Sequence, residues 1–336
     1  MKRIVITVIA TLLCSTLISN ATISSVTLNV NELKKKDSYT YLVCGLDDAA
    51  ENTDAIIIFN YNVNDNLASF VQIPRDTYFN FTGRIKKINS IYPSSKAEGA
   101  DSKTAMQELT TSIEKALAIK FDGYLCFTTA ELGRFIDAIG GIDIDLPHDI
   151  NITDSDGNNN IVYTEGNHHL NGTQAVRFIR FRSGYALGDL GRIDAQKIFL
   201  SGFVSKLRES INIKSVAKAA LCSEGGFVTN VKIVDALGIA LKLRTRIRKC
   251  NVKYANLPGV ADVLNDGGWY YFVNKKAGAE LLQNLNYKTT SSFDNEQRFC
   301  NHSNEKTKDY YFNTHTKWRI IDDCDLNAMV VYDRSE

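Results

Sequence analysis

The stretch from Arg180 to Gln196 concentrates side chains that suit the binding of an anion. Arg180 and Arg182 stand two residues apart, so an extended backbone would direct both guanidinium groups to one side. Arg192 and Gln196 stand four residues apart, so a helix that opens near Gly191 would present them on one face. Because guanidinium groups bind phosphate oxygens in a planar, bidentate geometry, this stretch predicts an oxyanion site, with phosphate as the first candidate.

Two carboxylates earlier in the chain could hold a metal ion. Asp47 follows Gly45 and Leu46 at the end of the first predicted strand, and Asp54 opens the second. Carboxylates that converge from adjacent strand ends can bind Mg²⁺, which proteins hold through a few carboxylates together with substrate phosphate oxygens. The alternative interpretation is that both aspartates only cap turns.

Two further charged clusters lie beside predicted strand or loop ends, where layered α/β folds usually bind ligands. Pro74 fixes the backbone after the third strand and would direct Arg75 and Asp76 off the edge of the sheet. Lys87 would face the same site if Ile88 faces the core. A surface salt bridge would explain any single cluster, but the recurrence of these clusters favours one shared site.

The overall composition limits the classes of function. The chain has 336 residues, with 39 Lys+Arg against 38 Asp+Glu. This balance argues against a general nucleic-acid-binding protein, so any recognition of anions must be local. The apolar share of 44% and the charged share of 23% are typical of a globular protein with an ample core.

The N-terminus has the features of an export signal. Met1-Lys2-Arg3 precedes an uncharged apolar run from Ile4 to Ile18. This run is shorter than the roughly 20 residues that span a bilayer comfortably, but it could extend through Ile23. Residues 1–23 are therefore predicted to be a single membrane anchor that leaves the domain outside the cytoplasm, and residues 24–37 a stalk. Cleavage at the small residues 19–21, followed by secretion, is the alternative.

The seven cysteines include no C-x-x-C pair, so neither a zinc ribbon nor a thioredoxin motif is indicated. Cys44 and Cys126 fall in apolar, strand-like runs and are predicted to be buried thiols. In an exported protein, Cys300 and Cys324 could form a disulfide, although the sequence does not fix the pairing.

Apolar periodicity indicates a layered α/β fold. The continuous apolar run at 56–59 predicts a strand that is covered on both faces. Strands are predicted at 39–44, 55–61, 67–73, 123–127, 142–146, 252–257 and 269–273. Helices are predicted at 102–117, 129–139, 171–178, 191–207, 213–221, 231–243 and 275–285. Residues 149–160 are predicted to be a polar loop, and the tail at 288–336 has no predicted function.

In this order and with this spacing, the charged clusters resemble the LytR-CpsA-Psr proteins of Gram-positive cell envelopes. The resemblance covers roughly residues 39–286. The segments that carry it are Gly45-Leu46-Asp47, Thr53-Asp54, Ile73-Pro74-Arg75-Asp76-Thr77, Lys87-Ile88-Asn89, Ile139-Gly140-Gly141-Ile142, Leu170-Asn171-Gly172-Thr173-Gln174-Ala175, Arg180-Phe181-Arg182, and Asp189-Leu190-Gly191-Arg192 with Gln196. The export segment agrees with it, since family members are usually anchored by one N-terminal helix.

The resemblance implies a three-layer α/β/α sandwich around a mixed central sheet at residues 38–287, with an apolar pocket for a prenyl chain. It implies a Mg²⁺-dependent phosphotransferase at the cell membrane that acts on polyprenyl-pyrophosphate-linked glycopolymers, such as teichoic acid or capsule polysaccharide. The glycopolymer phosphate would pass to a peptidoglycan sugar hydroxyl, and polyprenyl phosphate would be released. Such a transfer depends mainly on positioning and on stabilising negative charge, which a metal ion and fixed arginines can supply.

The roles of the family residues carry over onto the matching segments. Asp47 and Asp54 would ligate Mg²⁺, and Asp76 or Asp189 would orient the arginines or act as the base toward the acceptor hydroxyl. Arg75 and Arg192 would take a direct part in catalysis. The pyrophosphate would be bound by Arg75, Lys87, Arg180, Arg182, Arg192 and Gln196.

One position departs from the family pattern. Asn52 stands two residues before Asp54, where the family usually has an arginine. An asparagine can hydrogen-bond a phosphate oxygen, but without charge assistance. The missing charge motivates a second hypothesis, a non-catalytic protein that binds polyprenyl phosphate or wall polymer. A third hypothesis is a pyrophosphatase or phosphodiesterase that uses water as the acceptor. The sequence leaves open the glycopolymer, the acceptor sugar and the oligomeric state.

Overall fold

A computed structural model of the chain describes residues 36–47, 49, 51–83, 85–146, 149–153, 160–180, 189–209, 227–231, 246, 249–263, 268–299 and 321–322. Of residues 150–153, 160–162, 189–194, 207–209, 262 and 321–322 it describes the backbone only. The strands are β1 Ser38–Leu46, β2 Thr53–Asn62, β3 Leu67–Ile73, β4 Gly123–Thr128, β5 Ile142–Leu146, β6 Ile150–Thr153, β7 Asn160–Tyr163, β8 Gly166–Leu170, β9 Val228–Thr229, β10 Asn251–Asn256, β11 Gly259–Val263, β12 Trp269–Val273 and β13 Ile321–Asp322. The helices are α1 Ile91–Ala97, α2 Ser102–Leu117, α3 Thr129–Ala138, α4 Gly172–Arg180, α5 Asp189–Glu209 and α6 Lys275–Asn284.

A seven-stranded mixed sheet organises the fold, in the order β13-β10-β3-β2-β1-β4-β9. The central strands β1, β2 and β3 pair antiparallel in sequence, so β1 and β3 run in the same direction. Strand β4 lies parallel to β1, and β10 lies parallel to β3. The carboxyl ends of β1, β3, β4 and β10 therefore lie at the same edge as the amino end of β2. We call this edge of the sheet the site edge.

The two faces of the sheet pack into two separate cores. Because successive side chains of a strand point to opposite faces, Leu42 and Cys44 of β1 enter one core while Tyr39 and Tyr41 enter the other. Residues of α1, α2 and α6 pack into the first core, and residues of α3, α4 and α5 pack into the second. A mixed sheet with helices on both faces confirms the predicted α/β class.

Several predicted elements are confirmed. Strands β3, β5 and β12 and helix α2 begin and end at the predicted residues. The side chain of Asp101 caps α2 by accepting a hydrogen bond from the backbone of Thr104. Cys44 and Cys126 are buried and are register partners in the parallel pair β1–β4. Burial raises the pKa of both thiols well above the usual value, so they stay protonated.

Two local predictions were wrong. The segment at 149–160 was predicted to be a loop, but its ends form the hairpin β6–β7, in which Ile152 pairs with Ile161. The many asparagines of this segment conceal the apolar alternation that marks a strand. Strand β11 was missed because the Pro258-Gly259 turn signal overlaps its first residue.

Other predictions fall outside the described residues. These are the anchor at 1–23, most of the stalk, the disulfide between Cys300 and Cys324, the helix at 213–221 and nearly all of the helix at 231–243. In the part of the chain that the structure describes, no helix is long and apolar enough to cross a membrane.

The first residues of the C-terminal tail pack against the domain. Phe299 is 1% exposed and packs with Phe79 and Phe293 at ring-centroid distances of 5.6 and 5.8 Å. The buried carboxylate of Asp294 lies 2.6 Å from the Lys275 ammonium. Further along, β13 adds a short antiparallel strand beside β10. The tail therefore contributes both to a core and to the sheet.

Candidate functional site

The first two strands bring two carboxylates to the site edge. Gly45 pairs with Ala55 and Leu46 pairs with Thr53, so Asp54 is the extra residue of a β-bulge. A bulge bends the strand and redirects a side chain, and bulges are frequent next to active sites. Asp47 directly follows β1, and its backbone N–H donates to the Asn52 carbonyl at 2.9 Å. The structure therefore places Asp47 and Asp54 at neighbouring strand ends, as predicted.

Hydrogen bonds hold the Asp47 carboxylate in one orientation. Its Oδ1 accepts from the Glu51 backbone N–H at 2.8 Å, and its Oδ2 accepts from Asn52 Nδ2 at 2.9 Å. Partial burial raises the pKa of Asp47, but these hydrogen bonds and the positive charge of Arg180 outweigh it and lower the pKa below its usual value. Asp47 is therefore an anion at neutral pH.

The turn after β3 carries the centre of a chain of alternating charges. Arg75 Nη1 lies 2.5 Å from Asp54 Oδ1, and Arg75 Nε lies 3.6 Å from Asp76 Oδ2. Lys87 Nζ lies 2.8 Å from Asp76 Oδ1 and 5.2 Å from the centroid of the Tyr270 ring. The four charged side chains are 19–25% exposed, so they are sheltered and still reachable from solvent. We call Asp54, Arg75, Asp76 and Lys87 the charge chain.

Backbone contacts fix the loops that carry the charge chain. Asn89 N–H donates to the Arg75 carbonyl at 3.3 Å, and Ile88 N–H donates to the Thr77 carbonyl at 2.9 Å. The buried Thr77 hydroxyl donates to the Pro74 carbonyl at 2.6 Å. Because Ile88 is fully buried, the neighbouring Lys87 is directed to the site, as predicted.

Gln196 of α5 reaches the site edge from the second core. Its Oε1 accepts a hydrogen bond from Nε2 of Gln72, the penultimate residue of β3. Oε1 of Gln72 accepts from the hydroxyl of Tyr254 on β10, and Lys197 Nζ lies 5.8 Å from the centroid of the Tyr254 ring. The predicted pyrophosphate ligand Gln196 thus contacts Gln72, the residue that directly precedes the Ile73-Pro74-Arg75 turn.

The structure describes only part of the arginine-rich stretch from Arg180 to Gln196. Arg180 is the last residue of α4, which corrects the prediction of an extended backbone at this position. Asn171 and Gln174 cap the amino end of this helix reciprocally, and Ala175 and Phe178 pack it into the core. Asp189 and Arg192 lie in the first turns of α5, which begins two residues before the predicted start at 191, and only their backbone is described. Arg182 lies outside the described residues.

The donors present suit a magnesium ion that shares its ligands with a substrate. Asp47 and Asp54 supply oxygen ligands at adjacent strand ends, and Mg²⁺ commonly takes only one or two protein carboxylates and completes its shell with phosphate oxygens and water. No group of three or more His, Cys, Asp or Glu side chains that could hold a metal occurs among the described residues. The residues therefore fit a metal bound together with a phosphate, but not a metal held by a protein cage.

Four residues with contacts at the site had no role in the sequence-based prediction. Asn52 was noted only as a departure from a pattern, yet it orients Asp47. Gln72 and Tyr254 were predicted only as parts of strands, and Tyr270, predicted to line the core or a pocket, lies beside Lys87. The position of Gln72 inside the apolar run of β3 could have indicated a polar contact there, because a buried amide needs hydrogen-bond partners.

A sequence model described as "LytR_cpsA_psr family" matches residues 13–287 of this chain. Two relatives are similar over most of the chain. The polyisoprenyl-teichoic acid–peptidoglycan teichoic acid transferase TagV of Bacillus subtilis (strain 168) is 26% identical over 273 residues, which cover 77% of this chain and 67% of the relative. The corresponding TagU of Bacillus mycoides (strain KBAB4) is 27% identical over 265 residues, which cover 76% of this chain and 80% of the relative.

Solved structures share the fold. Protein gbs0355 from Streptococcus agalactiae superposes with a TM-score of 0.65 at 22% identity, over 83% of this chain and 96% of that chain. The crystal structure of B. subtilis TagV superposes with a TM-score of 0.60 at 25% identity, over 76% of this chain and 99% of that chain.

Proposed function

Because this chain belongs to the LytR-CpsA-Psr family, we propose that it moves a glycopolymer phosphate from a polyprenyl-pyrophosphate carrier to a sugar hydroxyl of peptidoglycan in cell wall assembly. The names of the relatives TagV and TagU support a transferase of this general kind. The observation that carries the proposal is the charge chain at the site edge, beside Asp47 and Gln196. Ordered cations between fixed carboxylates suit a substrate with several phosphate oxygens.

In the proposed reaction, the oxygen of the acceptor hydroxyl attacks the phosphorus that carries the glycopolymer. The bond from this phosphorus to the bridging oxygen breaks, and polyprenyl phosphate leaves with that electron pair. Arg75 and Lys87 bind the phosphate oxygens, together with Arg180, Arg182, Arg192 and Gln196. Because the leaving phosphate is stable as an anion, the residues mainly position the reactants and stabilise charge.

The hydroxyl proton passes to an aspartate, for which Asp76 and Asp189 are the candidates. Both oxygens of Asp76 are directed at cations, Oδ1 at Lys87 and Oδ2 at Arg75. This arrangement favours an orienting role for Asp76 and leaves Asp189, at the start of α5, as the preferred base. Asp47 and Asp54 would hold Mg²⁺, which supplies Lewis-acid stabilisation of the phosphate oxygens when it is bound.

We further propose that residues 1–23 anchor the chain in the cell membrane with the domain outside the cytoplasm. The basic start and the apolar run of the N-terminus support this location. The carrier lipid is itself held in the membrane, so an anchored enzyme would share its surface.

The test is a transfer assay with the full-length protein in detergent, a polyprenyl-pyrophosphate-linked saccharide, peptidoglycan and Mg²⁺. Mass spectrometry of the digested peptidoglycan should detect a new phosphodiester with the wild type. Arg75→Ala should lower the rate by about a hundredfold, the effect of removing one preorganised donor to a developing oxyanion. Arg134→Ala, a change at an exposed arginine of α3, should leave the rate unchanged.

If the wild type forms no phosphodiester, or if Arg75→Ala matches it, the proposal fails. Binding of the lipid that persists in Asp47→Ala and Asp54→Ala, without turnover in any variant, would instead identify a binding protein. Release of free saccharide phosphate without a peptidoglycan product would identify a hydrolase that uses water.

A further inference from the structure

A polar chain crosses the apolar second face of the sheet just below the site edge. Gln72 is 3% exposed and Tyr254 is 6% exposed, on the neighbouring parallel strands β3 and β10. Tyr254 is the register partner of Phe70, so Phe70, Gln72 and Tyr254 point to the same face. Helix α5 covers this face and brings Gln196 and Lys197 to the pair.

The hydrogen bonds of this chain have a single direction. The Tyr254 hydroxyl donates to Oε1 of Gln72, and Nε2 of Gln72 donates to Oε1 of Gln196. The Gln72 amide thus accepts from Tyr254 on β10 and donates to Gln196 on α5. Across the described part of the chain, no hydrogen-bond acceptor contacts Nε2 of Gln196.

This arrangement is not needed for packing. The neighbouring position on the same face holds Phe70, and an apolar side chain at Gln72 would fill the same space without the cost of burying an amide. A buried polar chain is tolerated only when each member is satisfied. Its last member, Gln196, contacts Gln72 three residues before Arg75 of the charge chain.

We propose that Gln72 and Tyr254 are positioning residues that hold the Gln196 amide with its NH₂ group toward the pyrophosphate. The inference rests on the proposed function, because it takes the pyrophosphate as the ligand. Phosphate oxygens only accept hydrogen bonds, so a glutamine that turned its Oε1 to them would repel the substrate. Tyr254 sets the direction, because its donated proton makes Oε1 of Gln72 the acceptor and leaves Nε2 to donate.

The decisive variant is Gln72→Glu, which places an acceptor where Gln72 offers a donor. The new carboxylate should attract Nε2 of Gln196 and turn Oε1 toward the ligand. We expect the affinity of the full-length protein for inorganic pyrophosphate, measured by calorimetry with Mg²⁺, to fall about tenfold or more, the effect of losing a hydrogen bond to a charged group. Tyr254→Phe removes only the hydroxyl proton that sets the direction of the hydrogen bonds. It should therefore also lower the affinity for pyrophosphate, but by less than Gln72→Glu does.

A double-mutant cycle with Gln196→Ala separates positioning from other effects. In the Gln196→Ala background, Gln72→Glu and Tyr254→Phe should cause no further loss of affinity, because the amide that they orient is gone. A simple electrostatic effect of the added carboxylate, or a general loosening of the fold, would persist in that background. Tyr61→Phe is the matched control, because the Tyr61 hydroxyl donates to Asn66 at the opposite edge of the sheet.

The pyrophosphate-binding measurements distinguish a failure of the positioning role of Gln72 and Tyr254 from a failure of the proposed function. If the wild type does not bind pyrophosphate, or if Arg75→Ala binds it equally well, the proposed site fails and the inference fails with it. If Arg75→Ala weakens binding while Gln72→Glu and Tyr254→Phe match the wild type, only the inference fails. Equal losses with and without Gln196 would also overturn it. Tyr254→Phe retains nearly all the volume of the buried ring, so it remains informative if Gln72→Glu does not fold.

Discussion

Asp47 is subject to two opposing influences on its ionisation. Partial burial raises the pKa of its carboxyl, whereas the hydrogen bonds from Asn52 and Glu51 and the charge of Arg180 lower it. The net effect is a pKa below the usual value. A group whose pKa is lower in the folded protein stabilises the fold above its unfolded pKa, and this contribution is lost as the pH falls through the folded pKa. In the proposed role as a Mg²⁺ ligand, Asp47 would also stay ionised in mild acid because of this lowered pKa.

Asn52→Ala should raise the pKa of Asp47, because it removes the Nδ2–Oδ2 hydrogen bond and leaves the burial. Carboxyl NMR titration measures this shift directly. The acid limb of the transfer rate should move to higher pH in the same sense, and the part of the stability that depends on ionised Asp47 should be lost at a higher pH. Asn64→Ala, in the turn between β2 and β3 at the opposite edge, is the matched control. An unchanged Asp47 titration in Asn52→Ala would show that Asn52 does not hold this carboxylate.

At the scale of secondary structure, helix α4 carries Arg180 toward Asp47 and is held close to α3. A Cβ atom on Gly172 would lie 2.0 Å from the Gly133 carbonyl oxygen and 2.6 Å from its carbon, both of them backbone atoms that cannot move aside. The Gly172 N–H also donates to Asp137 of α3 at 2.6 Å. The absence of a side chain at Gly172 therefore sets the distance between these two helices.

Gly172→Ala should push α4 away from α3, and we expect a loss of about 2 kcal/mol in the free energy of unfolding, as for other overpacked contacts. Because α4 ends at Arg180, the transfer rate should fall as well. Gly133→Ala is the matched control, since its Cβ would meet atoms only at 3.5 Å or beyond, and helix propensity should then raise stability by about 0.5–1 kcal/mol. Urea denaturation of both variants tests the pair, and a Gly172→Ala variant as stable as the wild type would contradict the close approach.

The strand ends could be predicted from the sequence because apolar runs stop at identifiable residues. The run of β3 stops at Ile73, directly before Pro74, so the position of Arg75 follows from local chemistry, and β1 stops at Leu46, directly before Asp47. The bulge at Asp54 could not be predicted, because it depends on how two strands pair and not on either strand alone.

Contacts between residues that are far apart in the chain could not be predicted from the sequence either. Gln72 and Gln196 lie 124 positions apart, and Gln72 and Tyr254 lie 182 apart, so no periodicity relates them. For Arg180, spacing alone allowed two conformations, and the cap formed by Asn171 and Gln174 together with core packing selected the helix. Local patterns thus located the site edge, while tertiary packing determined which side chains meet there.

At the scale of the whole molecule, the domain depends on residues beyond the predicted end of the family domain at 287. Asp294 N–H donates to the Ala116 carbonyl at 2.7 Å, which ties this segment to the end of α2. Phe299 lies in the same core as the central strands. Residues 289–299 therefore complete the core that covers one face of the sheet.

Phe299→Ala in the full-length chain should lower the free energy of unfolding by about 3 kcal/mol, the lower end of the range for buried phenylalanine. Removal of residues 288–336 should lower it further, because Phe293 and Asp294 are then lost as well. Trp269→Ala removes a larger side chain that is 61% exposed, so it should change stability by less than about 0.5 kcal/mol. Equal stability of the wild type and Phe299→Ala in urea would show that the tail does not support the core.

The position of the site relative to the chain entry constrains how an anchored domain could meet its lipid substrate. Strand β1 enters the sheet at Ser38 and reaches the site edge nine residues later, a distance of about 30 Å. A proposed anchor at 1–23 therefore connects to the edge opposite the site. Asp37 is already bonded to the domain at this opposite edge, because its carbonyl accepts from the Val63 N–H at 2.7 Å. The site edge can therefore face the membrane only if residues 24–35 run back along the domain, and about twelve extended residues would reach roughly 40 Å.

Deleting about half of residues 24–35 should therefore impair transfer from a membrane-embedded substrate, because the remaining residues would reach only about 20 Å, less than the length of β1. The measurement compares the full-length protein and the deletion variant in proteoliposomes that contain the polyprenyl-pyrophosphate-linked saccharide. In detergent, where substrate and enzyme diffuse independently, the two proteins should transfer at the same rate.

A length-matched polar replacement of the stalk should retain activity in both settings, since reach and not sequence is required. Full activity of the shortened protein in proteoliposomes would contradict the proposed anchoring geometry, while loss of activity in both settings would indicate damage to the domain itself.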